Sequence, residues 1–166
     1  MSSSSSKCGK YDVFLSFRGD TRRNLTDYLA RTLENHGFNV FLDENELTRG
    51  EPITPALKQA IKDSRLAAII FSRGYAESRW CLEELEEILA RKETMGLLVL
   101  PIFYDIDPTD VRHQTREFEE AFRSHQLNFP YKVQAWKDAL TAAAELAGED
   151  FSATAGTYSH GDLDHL

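Results

Sequence analysis

The stretch Leu66 to Tyr104 reads LAAIIFSRGYAESRWCLEELEEILARKETMGLLVLPIFY. It opens and closes on short, nearly unbroken apolar runs, Leu66 to Ser72 and Leu97 to Tyr104, with helical periodicity between them. Continuous apolar runs are the mark of strands buried on both faces. A strand, a helix from Ser78 to Arg91 and a second strand form one crossover unit, the connection that parallel strands require. Pro101 has no backbone donor, which places the second strand at or near a sheet edge.

The same alternation holds on either side. Tyr11 to Phe17 (YDVFLSF) predicts a strand. From Asp20 to His36, Leu25, Tyr28, Leu29 and Leu33 recur at helical spacing, and Gly37 follows as a helix-ending residue. Phe38 to Asp43 predicts another strand, and a polar loop with Arg49, Gly50 and Pro52 comes next. Thr54-Pro55 reads as N-cap and first helical residue, with Leu57, Ala60 and Ile61 facing inward. The last third predicts helices over Thr115 to His125 and Val133 to Ala147, closed by Gly148. No fifth strand is visible. The expectation is an α/β fold with a central parallel sheet covered on both faces, whose ligands bind beyond the carboxyl ends of the strands. The loops beginning at Arg18, Glu44, Arg73 and Asp105 are therefore the ones to watch.

Residues 1–10 are Ser-rich and lack the apolar stretch of a secretory signal, so they read as a disordered leader; residues 151–166 read as a linker or tail. No run of about 18 apolar residues is present to span a membrane. Cys8 and Cys81 make no disulfide framework, which points to a reducing compartment. The net charge of −8 argues against non-specific duplex binding, while local arginines remain able to hold a phosphate.

On the helix from Ser78, at about 100° per residue, Cys81, Leu82, Leu85, Ile88 and Leu89 share one arc that must face the core. Glu83 and Glu87 point away from it and read as a solvated acidic face. Glu84 and Glu86 lie on opposite borders, and Trp80 sits one turn before Glu84. A carboxylate beside an indole near a helix start is partly dehydrated and suited to a cationic ligand; the plainer reading is a border glutamate with no special task. Arg18-Gly19 and Arg49-Gly50 combine a guanidinium fork with a backbone free to turn, and read either as an anion site or as surface loops. Nucleotide-loop and nucleophile-elbow motifs are absent. The five histidines have no metal-ligand spacing, so no metal is expected. Cys81 on its buried arc and Trp136 read as packing.

Four blocks in succession carry a resemblance: YDVFLSFRGDTR (Tyr11 to Arg22), DENELTRGEPI (Asp43 to Ile53), SRGYAESRWCLEEL (Ser72 to Leu85) and VLPIFYDIDPTDVRHQ (Val99 to Gln114), followed by KVQAWKDAL (Lys132 to Leu140). Over residues 11 to 148 the chain resembles a plant TIR (Toll/interleukin-1 receptor) domain, as found in nucleotide-binding leucine-rich-repeat immune receptors or in TIR-only proteins. The resemblance implies a domain over 11–150 with a flavodoxin-like, three-layer fold of about five parallel strands. It implies cleavage of NAD+, or NADP+, to nicotinamide and ADP-ribose or cyclic ADP-ribose-type products, with no cofactor. It places the catalytic glutamate at Glu84 and matches Phe17, Arg18, Gly19, Arg49, Gly50, Ser78, Trp80 and Cys81 to the substrate site. It implies self-association, as a tetramer when active, in plant immune signalling in the cytoplasm or nucleus. Two positions depart from the family pattern. One loop residue is missing between Gly19 and Asp20, and Asp27-Tyr28 stands where many members carry a Ser-His pair used for self-association.

The rival readings are a non-catalytic TIR-TIR interaction module and a nucleic-acid-dependent cyclic nucleotide synthase using Arg22, Arg23 and Arg31. A phospho-receiver domain of the same fold class needs acidic residues where Ser16-Phe17-Arg18 and Ser72-Arg73 stand.

Overall fold

The computed structural model describes residues 10–21, 25–42, 53–146 and 149–151. Five strands, β1 (Tyr11–Ser16), β2 (Val40–Leu42), β3 (Ser64–Phe71), β4 (Leu98–Tyr104) and β5 (Glu149–Phe151), form one sheet in the order β2-β1-β3-β4-β5. Every neighbouring pair is parallel, with Leu15 beside Ala68 and Ile70 beside Ile102. Among the described residues six α-helices accompany them: α1 (Asp27–Asn35), α2 (Pro55–Lys62), α3 (Arg79–Met95), α4 (Pro108–His113), α5 (Glu117–Asn128) and α6 (Pro130–Ala144). Among the described residues, no helix is long and apolar enough to cross a membrane.

The two-residue period of a strand divides the core. Phe14, Ile69, Phe71 and Phe103 face the layer that holds α2, α3, α5 and α6. Val13, Leu15, Ala68, Ile70 and Ile102 face α1, which contributes Leu29 and Ala30. The result is the expected three-layer, flavodoxin-like α/β fold. The fifth strand, not visible in the sequence, has three residues and pairs with Ile102 to Tyr104. Pro101 stands at the last position of β4 before that pairing begins, next to β3 alone.

The helix boundaries follow their caps. The Thr54 hydroxyl accepts from Leu57 N at 3.2 Å, with Pro55 at the first helical position. α3 runs one turn beyond the expected Arg91 and ends at Gly96, whose φ of 73° suits a residue without Cβ. The helix α4 was not expected. Asp107 caps it by accepting from Thr109 N at 2.8 Å, and Pro108 follows, the same signal that marks α2. The Ser-rich segment with Cys8, and the tail from residue 152, lie outside the described residues.

Two leucines at opposite extremes of burial set a contrast in stability. Leu82 on α3 is fully buried against the sheet, whereas Leu127 on α5 is 84 % exposed. Leu82→Ala is expected to cost about 2–5 kcal/mol. Leu127→Ala is expected to stay within about 0.5 kcal/mol of the parent. Denaturant titration measures both.

Candidate functional site

The site is assembled where β1 ends against the first turns of α3. The Ser78 hydroxyl caps α3 by accepting from Cys81 N at 3.1 Å. The helix then buries Trp80, Cys81, Leu82, Glu84, Leu85 and Ile88. Glu84 retains only 2 % exposure, so the structure places it inside the core and not on its partly hydrated border. The reason lies on the sheet side: the end of β1 reaches beyond the apolar arc and covers Glu84 with Ser16.

The structure also corrects the reading of Glu83 and Glu87 as a solvated face. Both are half-buried. Lys132 of α6 reaches Glu83 at 3.3 Å and Glu86 at 2.7 Å, and Arg91 meets Glu87 at 2.7 Å. Burial by itself lowers the Lys132 ammonium, but the bonds and charges of Glu86 and Glu83 together outweigh it and raise it above its ordinary value.

Strand alternation puts Ser16 on the same face as Phe14, toward α3. There its hydroxyl donates to Glu84 Oε1 at 2.7 Å. The Tyr75 hydroxyl lies 2.8 Å from Ser16 Oγ and 3.1 Å from the Cys81 carbonyl, with one hydrogen to give to either. The Cys81 thiol in turn donates to the carbonyl of Phe17 at 3.4 Å. Ser16 and Tyr75 were not singled out from sequence. The available signal was a hydroxyl at a buried position of an apolar strand, which must find a partner.

Of the expected site residues, Phe17, Cys81 and Glu84 come together around this network. Arg18 and Gly19 lie just past β1, where the Arg18 carbonyl accepts from both Thr21 N and Thr21 Oγ1 at 3.0 Å. The Arg18 guanidinium is 3.7 Å from Glu77, and both line a cleft with Gly19, Arg73 and Gly74. Trp80 is buried and lines a different cleft, with Tyr11, Phe41 and Leu57. An apolar groove between α1 and the sheet, lined by Leu29, Leu33, Leu66 and Ile102, holds none of these groups. Arg49 and Gly50 lie outside the described residues, as do Arg22 and Arg23. Among the described residues, no three His, Cys, Asp or Glu cluster as metal ligands.

The turn that carries Tyr75 is held from behind. It is a 3-10 turn, Tyr75–Glu77, and its Ala76 carbonyl lies 2.7 Å from Nε2 of the buried His125. A carbonyl only accepts, so Nε2 carries the hydrogen. The imidazole edge packs on Trp136 with ring centroids 5.3 Å apart. Burial lowers the His125 pKa, against a smaller upward pull from the Ala76 bond.

Comparison with known proteins gives a consistent result. The family model described as TIR domain matches residues 10–157. The chain is 50 % identical over 139 residues to the disease resistance protein RPV1 of Vitis rotundifolia, covering 83 % of this chain and 10 % of that protein. It is 45 % identical over 151 residues to the TMV resistance protein N of Nicotiana glutinosa, covering 89 % of this chain and 13 % of that one. The chain therefore spans about an eighth or less of these relatives. Among solved structures, the TIR domains of the activated Roq1 resistosome, which directly recognizes the pathogen effector XopQ, superpose with a TM-score of 0.79. Identity there is 41 %, with 94 % of this chain and 96 % of that chain covered.

His125 sets a pH dependence. Its folded pKa lies below the ordinary 6.5, so the unfolded chain binds the proton more readily. The stability that neutral His125 supports is complete above that value and declines as pH falls through it toward the folded pKa. Thermal melts across this window are expected to show the decline in the parent and a shallower one in His125→Gln.

Proposed function

The chain belongs to the TIR domain family, and on that premise we propose that it is an NAD+ nucleosidase with Glu84 as its reacting carboxylate. The observation that carries the reading is a single carboxylate, out of water, aimed at the carboxyl end of β1, where a doubly wound sheet takes its ligands.

The chemistry asks for little more. In NAD+, or NADP+, the ribose is joined to a positively charged nicotinamide that leaves neutral, so no general acid is required. Charge develops on an oxocarbenium-like ribose, and a carboxylate fixed beside it in a dry site stabilises that charge. One such group suffices, in contrast to the pair used by most glycosidases. Attack by water gives ADP-ribose, and attack by a group of the substrate itself gives a cyclic product. In this reading Arg18, which lines the cleft past the end of β1, meets the diphosphate, and NAD+ is substrate with no separate cofactor.

At 2 % exposure Glu84 reaches a ribose only after neighbouring chain gives way. The reading therefore couples catalysis to rearrangement, and self-association through TIR-TIR contacts, to a tetramer, is the proposed trigger. The setting proposed is plant immune signalling in the cytoplasm or nucleus, by likeness to the resistance proteins above. The same burial favours one competing reading, a non-catalytic interaction module in which Glu84 only ties β1 to α3.

Nicotinamide release from NAD+ separates the two. The parent at high concentration is expected to release it, with a rate that rises faster than linearly with protein. Glu84→Ala is expected to abolish release, and Glu86→Ala, which removes an outward partner of Lys132, to change it by about threefold or less. Release that persists in pure, folded Glu84→Ala protein overturns the assignment; none from either protein supports the interaction module.

A further inference from the structure

We infer that Ser16 and Tyr75 are positioning residues for Glu84: their hydroxyls form a reversible chain of hydrogen bonds that fixes the carboxylate and follows its charge. The chain holds a fixed number of hydrogens. An ionised carboxylate only accepts. With Glu84 charged, the Ser16 hydrogen goes to Glu84 Oε1 at 2.7 Å, and the Tyr75 hydrogen goes to Ser16 Oγ at 2.8 Å. When Glu84 takes up a proton, it becomes a donor. The chain then reverses, from Glu84 to Ser16, from Ser16 to Tyr75, and from Tyr75 to the Cys81 carbonyl at 3.1 Å. Each hydroxyl only rotates, and no proton passes between residues. Every group keeps a partner in both states.

Three features suit Tyr75 to this task. It is fully buried, so water does not compete for its hydroxyl. Its ring is fixed edge-on to Phe71 with centroids 5.0 Å apart, and its turn is tied by Tyr75 N to the Ser72 carbonyl and by Ser78 N to the Tyr75 carbonyl. Burial first, then the Cys81 thiol and the charge of Glu84, push its pKa well above the ordinary 10.0, which keeps the hydroxyl a donor across the working range. Among the described residues, the titratable groups along the chain include Tyr75 from the turn, Cys81 from α3 and Glu84 itself; β1 contributes Ser16, and beyond its end Arg18 pairs with Glu77. Donation to the charged form favours it, and a chain of two donors polarises more than one.

The inference rests on Glu84 as the reacting carboxylate for its catalytic meaning, but the chain itself is testable without turnover. Protein labelled with 13C at the glutamate carboxyl, with the Glu84 signal assigned by its loss in Glu84→Gln, is titrated as parent, Ser16→Ala and Tyr75→Phe. Thermal melts establish that each variant is folded. The Glu84 signal is expected to differ from the parent at neutral pH in both variants and to titrate at higher pH, further in Ser16→Ala. In the release assay kcat is expected to fall about tenfold or more in Ser16→Ala, and less in Tyr75→Phe. The KM for NAD+ is expected to stay within about twofold. A Glu84 signal unchanged in both folded variants overturns the chain whether or not the protein cleaves NAD+. A shifted signal in a protein that releases no nicotinamide supports the chain while removing the reading of Glu84 as the reacting group.

Discussion

A charged carboxylate withdrawn from water loses hydration worth several kcal/mol even after its surroundings relax, unless protein donors replace the lost water. Glu84, when ionised, sits under that constraint in the second turn of α3. Its Ser16 partner belongs to the last residue of β1, so the strand cannot shift along the helix without stranding the charge. The neighbouring contacts share the restriction. Cys81 holds the backbone at Phe17, Tyr75 holds Cys81 and Ser16, and Ser78 caps the helix that carries all of them. Two stretches far apart in sequence, the end of β1 and residues 75–84, are thereby fixed to one another by polar groups within an apolar interior.

The architecture was legible wherever an element was long or carried a local cap. The crossover unit from Leu66 to Tyr104 needed only its periodicity, and Thr54-Pro55 marked α2 to the residue. The three-residue β5 was lost because a short edge strand carries little pattern of its own and exists by pairing with β4. α4 was lost although Asp107-Pro108 repeats the signal read at Thr54-Pro55. In the candidate site the helical face of α3 was correct for its apolar residues and wrong for its glutamates. Periodicity sees one buried side, whereas Lys132 and the rest of α6 supply a second one, from 46 residues downstream of Glu86. Ser16 and Tyr75 escaped for a related reason: a single hydroxyl in an apolar run has meaning only once its partner, 68 or 59 residues away, is known.

Likeness to plant resistance proteins bears on a small part of those chains, and the domain is where the likeness resides. Within it the charged groups divide into two classes. The outer pairs, Arg18 with Glu77 and Arg73 with Asp105, are solvated at one end or both and contribute little to stability. They are free to exchange partners when an anion or another chain arrives. The inner groups around Glu84 have no such freedom. An anion or another chain that approaches the domain therefore meets the solvated ionic rim before the buried polar centre.

One consequence follows from the shortness of β5. Leu98 to Pro101 of β4 pair with β3 on one side, and among the described residues no strand lies on the other. Leu98 is also 63 % exposed, so this segment offers both open backbone and apolar surface. Such an edge is a template for unwanted strand addition and aggregation. Pro101 stands at its far end, where it withholds a donor and crowds any strand that approaches. The residue that marked a nearby sheet edge in the sequence thus stands where the open stretch of that edge ends.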